Sequence, residues 1–362
     1  MKKKCAGERV TTSRITRGIG VDDLVERYFN AYNAARLSEA CRLLERKMLK
    51  EDVVVGVTLS GALTPAGLGS TALVSWIDNG WVDYIATTGA NLYHDLHVGL
   101  GLPMFKSSPF VDDIELRKES VIRIYDIIFD FEVLTDTDKY IYKILSNPEF
   151  NRRMGTAELH HRMGKYVDAT ERETGNEGAT ILAAAYRNAV PIFCPSPADS
   201  TIGLNAAALS FGESDIHLDP IQDVNDSTAI VLMAKRERKS GVIIFGGGSP
   251  KNFVLQTIPQ LDEVMDIRVE GHDYFIQVTD ARPDTGGLSG ATPQEAVSWG
   301  KINPETLPDS VVAYTDSSIA IPVMTSYLLN RIEPRKPRRL YERREELYDN
   351  LAEVYAKVKS FV

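Results

Sequence analysis

The chain has 362 residues, of which 43% are hydrophobic and 25% charged, a composition that excludes a disordered or fibrous protein and fits an ordinary globular one. Fifty acidic residues against 41 basic ones give a formal net charge of −9. Because no dense basic stripe offsets this charge, nucleic acid is not expected as the main partner, whereas a cationic substrate is compatible with it.

The N terminus and the cysteines predict a cytoplasmic protein. Met1–Lys4 is charged but is followed by Ala6–Arg9 and not by the apolar core of a signal peptide. No apolar run approaches the ~20 residues that cross a bilayer, so no membrane partner is expected. Cys5, Cys41 and Cys194 are scattered without metal-ligand spacing, which argues against a disulfide framework and against a metal site.

Short apolar runs alternate with longer segments of helical periodicity. The runs that predict strands are Asp52–Leu59, Trp81–Thr87, Val190–Cys194, Gly241–Phe245, Tyr274–Val278 and Val311–Tyr314. The segments that predict helices are Val21–Lys47, Thr71–Asn79, Glu119–Leu145, Ala157–Thr174, Glu177–Asn188, Pro220–Lys239, Asn252–Met265 and Ile319–Leu329. This repeated alternation predicts an α/β fold with a doubly wound, mostly parallel sheet, helices on both faces and additional helical segments.

The chain divides into three predicted parts. Residues 1–50 form an N-terminal helical segment, residues 51–330 the main α/β domain, and residues 331–362 a charged, helix-prone tail. Within the main domain, Glu119–Thr174 interrupts the alternation and is expected as an insertion or a layer beside the sheet. The basic residues of the tail, Arg335 to Arg344, favour a solvated helix or an oligomer contact over nucleic-acid binding.

Small and polar residues follow every predicted strand. They are Ser60–Gly69, Thr87–Asn91, Pro195–Thr201, Gly246–Ser249, Thr279–Asp280 and Thr315–Ser318. In open α/β sheets ligands bind beyond the carboxyl ends of the strands, and glycines beside helix N-termini suit a pyrophosphate, so a dinucleotide is expected here. Turns and helix caps explain any single one of these loops better, so the expectation rests on the occurrence of six such loops at one edge of the sheet. A P-loop is excluded, and the strict GxGxxG pattern is missing.

Two histidine pairs do not predict a metal site. His94 and His97, like His160 and His161, lack an obvious third ligand, so surface or core histidines explain them better. No GxSxG elbow or nucleophile triad is visible.

The segment Ser289–Lys301 predicts a short helix with a lysine directly after it. Thr292 is an N-cap residue, Pro293 occupies the first helical position, and Glu295 stands where a capping box has its acid. Gly300 then ends the helix as a C′ glycine does.

Lys301 admits two interpretations. A nucleophilic lysine needs a neutral amine, which desolvation beside an apolar wall such as Trp299 supplies. Alternatively, the helix signals merely build a short helix and Lys301 is an ordinary surface lysine.

The string EAVSWGK from Glu295 to Lys301 resembles the signature of the deoxyhypusine synthase family. The similarity extends over roughly Asp52–Leu329, and its other matching stretches are Val82–Gly89, Pro191–Gly203, Ile243–Gly248 and Asp316–Ser317. The resemblance implies a Rossmann-like fold and an NAD-dependent tetramer with active sites at dimer interfaces. It makes residues 51–330 the NAD-binding catalytic domain.

The resemblance also implies a reaction. NAD removes hydride from spermidine, 1,3-diaminopropane leaves, and the aminobutyl group is held as an imine on Lys301. The group then passes to an acceptor amine and is reduced by the same NADH. A lysine suits this role because an amine exchanges with an imine without a strong acid or base.

Matching positions of the family pattern give the expected site. The cofactor contacts fall on Ser60, Gly61, Thr88, Gly89, Asp199, Gly247, Thr279, Asp280, Asp316 and Ser317. The polyamine contacts fall on Glu295 as an acidic anchor, on Trp299 as the channel wall, and on the positions of His94 and Asn252.

Several polyamine-binding positions depart from the family pattern. Tyr93 and His94 replace two acids, Leu204 and Leu288 replace two aspartates, and Asn252 replaces a histidine. Losing anionic groups weakens binding of a tri-cation. The expected acceptor is therefore a small amine, giving homospermidine, and the alternative is a translation-factor lysine. A simple NAD-dependent oxidoreductase or an NAD-binding protein without group transfer is a third possibility, against which Lys301 speaks.

Overall fold

The computed structural model describes residues 9–212 and 214–360, so Cys5 and the charged N-terminal residues lie outside it. Its strands, in chain order, are β1 (Val53–Leu59), β2 (Tyr84–Thr87), β3 (Phe105–Lys106), β4 (Val121–Ile124), β5 (Ile127–Asp130), β6 (Arg153–Met154), β7 (Ile192–Phe193), β8 (His217–Leu218), β9 (Lys239–Phe245), β10 (Tyr274–Thr279) and β11 (Ser310–Tyr314). A six-stranded parallel sheet in the order β11-β10-β9-β1-β2-β7 forms the centre.

The helices surround this sheet. They are α1 (Val21–Tyr28), α2 (Tyr32–Leu43), α3 (Val74–Asp78), α4 (Gly89–Gly99), α5 (Asp113–Lys118), α6 (Phe131–Leu145), α7 (Thr156–Thr174), α8 (Ile181–Asn188), α9 (Thr201–Leu209), α10 (Pro220–Glu237), α11 (Gly248–Leu255), α12 (Thr257–Pro259), α13 (Pro293–Ser298), α14 (Ser317–Arg331) and α15 (Arg344–Lys359). Across residues 9–212 and 214–360, no helix combines the length and the apolar surface that a membrane span requires.

Both faces of the sheet are covered. Every residue of β1 is buried, and its side chains alternate between two cores. Val55 belongs to the core that includes side chains of α4 and α8, whereas Val54 belongs to the core that includes side chains of α10, α11 and α15. A strand covered on both faces needs no polar alternation, which explains the run of valines. The predicted doubly wound parallel sheet is thus confirmed, and all six predicted strands belong to it.

The predicted helix over Glu119–Leu145 is wrong in its first half. Val121–Asp130 is a β-hairpin, and β3 completes a small antiparallel sheet in the order β3-β5-β4. The hairpin is rich in β-branched isoleucine, which favours strands, and Tyr125 adopts a left-handed φ of 53° at the turn. Only the part from Phe131 onward is helical.

Other helical boundaries also differ from the sequence prediction. The predicted helix Val21–Lys47 is interrupted, because Ala31 is extended between α1 and α2. The helices α4 and α9 were not predicted: both begin inside the small, polar loops that follow strands, where their caps also look like turns.

The terminal segments are only partly helical. Residues 9–20 contain no helix, and residues 332–343 of the tail run without one before α15 begins. The expectation that the tail arginines are solvated is wrong for two of them. Arg335 donates to Asp83 at 2.7 Å, and Arg338 lies 3.2 Å from the same buried carboxylate. The proposed domain boundaries near residues 50 and 330 stay predictions.

Candidate active site

The loops at the carboxyl edge of the sheet meet around a cavity of about 180 Å³. We call it the cofactor cavity, and it is lined by Ser60, Gly61, Thr87, Thr88, Gly89, Pro195, Ser196, Asp199, Gly248, Ser249 and Pro250. These residues follow β1, β2, β7 and β9, which are neighbours in the sheet. Five of the ten expected cofactor residues therefore lie together, although they come from separate parts of the chain.

Hydrogen bonds join these loops to one another. The Gly247 N–H donates to Ser60 Oγ at 3.0 Å, and the Ser60 hydroxyl donates to the Gly247 carbonyl. Thr88 Oγ1 donates to the Gly61 carbonyl at 2.5 Å and also caps α4. The loops therefore hold a fixed shape around the cavity.

The cofactor cavity fits the phosphates of a dinucleotide. The helices α4 and α11 begin at this edge. The Asn91 and Gly248 N–H groups already donate to Thr88 Oγ1 and Ser289 Oγ, which leaves other first-turn N–H groups, such as those of Ala90 and Ser249, for an anion. Gly61 has φ +65°, and a Cβ there would meet nothing within 4 Å, which leaves its backbone open. A Cβ on Gly89 would clash with Ser200, so this loop packs more closely than a larger residue permits.

The other expected cofactor residues lie on the same sheet edge without lining this cavity. Gly247 lies beside it, where a Cβ would come within 2.5 Å of Ser289 Cα. Thr279 is the buried last residue of β10, and Asp280 follows it exposed. Asp316 caps α14 by accepting the Ser318 N–H at 2.8 Å, and Ser317 is the first helical residue.

The predicted short helix before Lys301 is confirmed as α13. Thr292 Oγ1 accepts the Glu295 N–H at 3.2 Å. Gly300 has a φ of +67°, and its N–H donates to the Val297 carbonyl at 2.9 Å. The Lys301 N–H donates to the Ala296 carbonyl at 3.0 Å, which completes a Schellman motif. The backbone at Lys301 is therefore fixed by the helix end.

The Lys301 side chain enters a second cavity of about 300 Å³, which we call the lysine cavity. Its lining residues are Lys251, Asn252, Leu255, Gln256, Phe275, Leu288, Ala291, Thr292, Glu295, Ala296, Trp299 and Lys301. Lys301 Nζ donates to Asn252 Oδ1 at 3.3 Å and lies 5.7 Å from the centre of the Trp299 ring. Burial lowers the pKa of Lys301, and the nearby Glu263 opposes this effect. A larger neutral fraction favours attack on a carbonyl-like carbon.

A second lysine in this cavity was missed by the sequence analysis. Lys251 is 2% exposed, and burial lowers its pKa to about 8. Its Nζ donates to Gln277 Oε1 at 3.0 Å and to the Ala291 and Leu288 carbonyls at 2.7 and 3.3 Å. Lys251 therefore fixes the loop that precedes α13. The one sequence feature that could have indicated Lys251 is its position three residues after the glycine triplet Gly246–Gly248.

His94 lies in a third cavity, of about 590 Å³, which we call the histidine cavity. Tyr93, Asp138, Asp199 and Leu204 also line it, with an apolar wall from the β4–β5 hairpin. His94 Nδ1 is 3.1 Å from His97 Nε2. Within the part of the chain that the structure describes, no three side chains form a metal-binding cluster.

Glu295, Trp299, Asn252 and Lys301 thus share one cavity, and His94 does not. The helix α4, which carries His94, packs on one face of the sheet, whereas α11 and α13 pack on the other. Asp199 lines both the cofactor cavity and the histidine cavity.

Comparison with known proteins gives a family. The model of the deoxyhypusine synthase family matches residues 23–328. A "Deoxyhypusine synthase-like protein" from Nostoc punctiforme is 54% identical over 358 residues, covering 99% of this chain and 92% of the relative. A "Probable deoxyhypusine synthase 1" from Archaeoglobus fulgidus is 36% identical over 324 residues, covering 89% and 98%.

A solved structure agrees with the fold. The crystal structure of a "putative deoxyhypusine synthase" from Entamoeba histolytica aligns with a TM-score of 0.58 at 16% identity, covering 89% of this chain and 97% of that one. At this low identity the solved structure supports the fold alone, and the family assignment rests on the family model and the sequence relatives. The chain belongs to the deoxyhypusine synthase family, whose members are NAD-dependent transferases that use spermidine.

Proposed function

We propose that this protein transfers the aminobutyl group of spermidine, through an imine on Lys301, to a small amine such as putrescine, which forms homospermidine. The observation that carries this proposal is the composition of the lysine cavity. Among the described residues lining it, Glu295 is the one carboxylate, and Leu288, Phe275 and Trp299 supply apolar and aromatic surface. Such a cavity suits a substrate with few charges.

Lys301 forms the covalent link. Its Nζ, partly withdrawn from water, attacks the oxidised carbon of the donor, and 1,3-diaminopropane departs. Asn252 Oδ1, 3.3 Å from Nζ, orients the amine, and the Trp299 ring covers one side of it. The ring face also attracts a cationic amine.

The residues that would hold NAD are those of the cofactor cavity and its edge, Ser60, Gly61, Thr88, Gly89, Asp199, Gly247, Thr279, Asp280, Asp316 and Ser317. When bound, NAD accepts hydride from the donor amine and returns it to the product. The chain's own contribution is the loop shape and the two helix N-termini described above.

The loss of acidic groups at these positions favours a small amine over a translation-factor lysine as the acceptor. Leu204 is 61% exposed at the histidine cavity, and Leu288 is 41% exposed at the lysine cavity. Each lost charge-assisted hydrogen bond is worth on the order of 1.5–3 kcal/mol, enough to change substrate preference about tenfold or more. A guanidino amine of similar length fits the same argument.

A homo-oligomer, in which sites form between two copies, brings the two cavities together. Within one chain, His94 and Lys301 lie on opposite faces of the sheet. The helix that carries His94 follows β2, and the helix that precedes Lys301 follows β10. These two strands are three positions apart in the sheet, which is about 14 Å at the usual strand spacing. A small amine cannot reach both. The tetramer that the family resemblance implies would pair the histidine cavity of one copy with the lysine cavity of another.

The test compares two acceptors side by side. The purified protein is given NAD and spermidine with either putrescine or a translation-factor protein, and products are identified by mass spectrometry. We expect homospermidine at a rate at least tenfold above protein modification. The second candidate, a deoxyhypusine synthase, is favoured by the identity to the Archaeoglobus relative. Efficient modification of the protein lysine without homospermidine would establish that candidate and overturn the small-amine proposal.

A further inference from the structure

A chain of hydrogen bonds runs from the buried interior to His94. The Thr137 hydroxyl is 2.8 Å from the Val133 carbonyl, an acceptor only, so the hydroxyl proton points there. His97 Nδ1 is 2.7 Å from Thr137 Oγ1 and must therefore donate to it. His97 Nε2 then carries a lone pair and accepts from His94 Nδ1 at 3.1 Å. Each bond fixes the direction of the next.

The end of this chain is a bare nitrogen. With its Nδ1 proton committed to His97, a neutral His94 has an unprotonated Nε2, and the ring lines the histidine cavity. Burial lowers the pKa of His94, and burial together with His94 lowers the pKa of His97 to about 3. Both rings are therefore neutral at pH 7, and His94 presents a proton acceptor to the cavity.

The rest of the cavity suits an alkyl amine. Ile122, Ile124, Phe129 and Leu204 form an apolar wall. The charged groups that face it are Asp138, which accepts from the Tyr93 hydroxyl at 3.1 Å and from Asn205 at 3.2 Å, and the exposed Asp199. A chain of a few methylenes with an ammonium at each end matches this arrangement.

We propose that the histidine cavity binds the acceptor amine and that His94 Nε2 removes the proton that makes this amine nucleophilic. The proposal rests on the proposed function, because it assigns a role within the transfer step. His97 and Thr137 are positioning residues that act through His94.

The step balances as an exchange of one imine for another. His94 takes one proton from the acceptor's ammonium, and the free amine adds to the carbon of the protonated imine. A second proton moves from the newly attached acceptor nitrogen to Lys301 Nζ, and the bond between that carbon and Nζ then breaks as the new protonated imine forms. The proton held by His94 passes to the departing lysine amine. No group is oxidised or reduced in this step.

The lysine cavity offers no equivalent group among its described lining residues. Asn252 has no basic atom, Lys251 already donates to carbonyls and an amide, and Glu295 is exposed at the mouth. An unprotonated imidazole nitrogen in the histidine cavity, which the proposed homo-oligomer would bring to the lysine cavity of another copy, supplies what these residues lack.

The kinetic test separates imine formation from transfer. The imine on Lys301 is formed first with NAD and spermidine and quantified by borohydride trapping, and putrescine is then added in a single turnover. We expect His94→Gln to leave imine formation within about twofold and to slow transfer about 100-fold or more, the usual worth of a general base. His217→Gln, on an exposed strand residue, is the matched control and should change neither step.

The pH dependence gives a second readout. Between about pH 7 and about pH 9, transfer by the parent protein should be nearly flat, because His94 is already neutral. In His94→Gln the rate should rise about tenfold per pH unit, since it then follows the free fraction of an amine whose pKa lies near that of lysine, about 10.4. The proposal would be overturned if His94→Gln formed the imine normally, transferred the group at an unchanged rate and showed a flat pH profile. If the parent protein formed no imine, the proposed function would be overturned instead.

The hydrogen-bond chain from Thr137 to His94 is tested by NMR and by the transfer rate of two Thr137 variants. Nitrogen NMR of labelled histidine should give a protonated Nδ1 and an unprotonated Nε2 for both His94 and His97. Thr137→Val removes the terminal acceptor, whereas Thr137→Ser keeps it, so only the valine variant should change the His97 tautomer and slow transfer. The opposite tautomer of His94 in the parent protein would contradict the assignment.

Discussion

At the scale of single residues, the site depends on two lysines with different environments. Lys301 follows the end of α13 and reaches into the lysine cavity, whereas the buried Lys251 donates to three carbonyls and an amide. The sequence predicted the first, because a cap, a proline and a C′ glycine are local signals. It could not predict the second, because the carbonyls that hold Lys251 come from a loop about 40 residues further along the chain, at 288–291.

We predict that Lys251→Met destabilises the protein and disturbs Lys301 together. Removing the ammonium leaves the Ala291 carbonyl and Gln277 Oε1 without the donor that Lys251 supplies, at a cost of about 1–3 kcal/mol in the free energy of unfolding. While it is protonated, Lys251 also repels the Lys301 ammonium, so below about pH 8 its removal should lower the neutral fraction of Lys301 and slow imine formation. Urea unfolding and the pH profile of borohydride trapping measure these effects. Lys143→Met, on an exposed position of α6, is the control, and an equal effect there would refute the prediction.

At the scale of elements, the strands were predictable and some of the helices were not. Apolar runs buried on both faces mark β1, β9 and β10 without ambiguity. The loops after them contain the same residues whether they end in a turn or begin a helix, which is why α4 and α9 were missed. The hairpin at 121–130 was missed because its isoleucines also fit a helical period.

The packing of α4 against α9 gives a prediction for the cofactor cavity. A Cβ on Gly89 would clash with Ser200, the residue that caps α9 through the Gly203 N–H. Gly89→Ala should therefore shift both helix N-termini, destabilise the fold by about 1–3 kcal/mol and weaken NAD binding at least tenfold. Isothermal titration with NAD measures the affinity. Gly212→Ala, whose Cβ would make only an ordinary 3.5 Å contact, should bind NAD as the parent does. Equal affinities in the two variants would count against the cofactor cavity.

At the scale of the whole molecule, the C-terminal segment closes over the amino ends of the strands. Arg335, 8% exposed, donates to Asp83 and to the carbonyls of Val53 and Gly80. The helix α15 then packs on α10. Composition alone marked these arginines as a charged surface, because their partner Asp83 is about 250 residues away in the chain. Ion pairs at such separation leave no local pattern in the sequence.

We predict that this buried pair is needed for stability. Asp83→Asn leaves the Arg335 guanidinium buried without its counter-charge and should lower the free energy of unfolding by about 3–5 kcal/mol. Asp78→Asn, which weakens a half-exposed pair with Arg187, should cost no more than about 1 kcal/mol. Chemical denaturation of both variants decides the matter, and similar losses would mean that the tail is not held in this way.

The proposed reaction depends on Lys301 as the residue that carries the aminobutyl group. The direct measurement is borohydride reduction during turnover with NAD and spermidine, followed by peptide mass spectrometry. We expect one aminobutyl adduct, on Lys301, that requires NAD, persists in Lys251→Met and is absent in Lys301→Arg. An adduct on another lysine, Lys251 above all, or full turnover by Lys301→Arg, would contradict it.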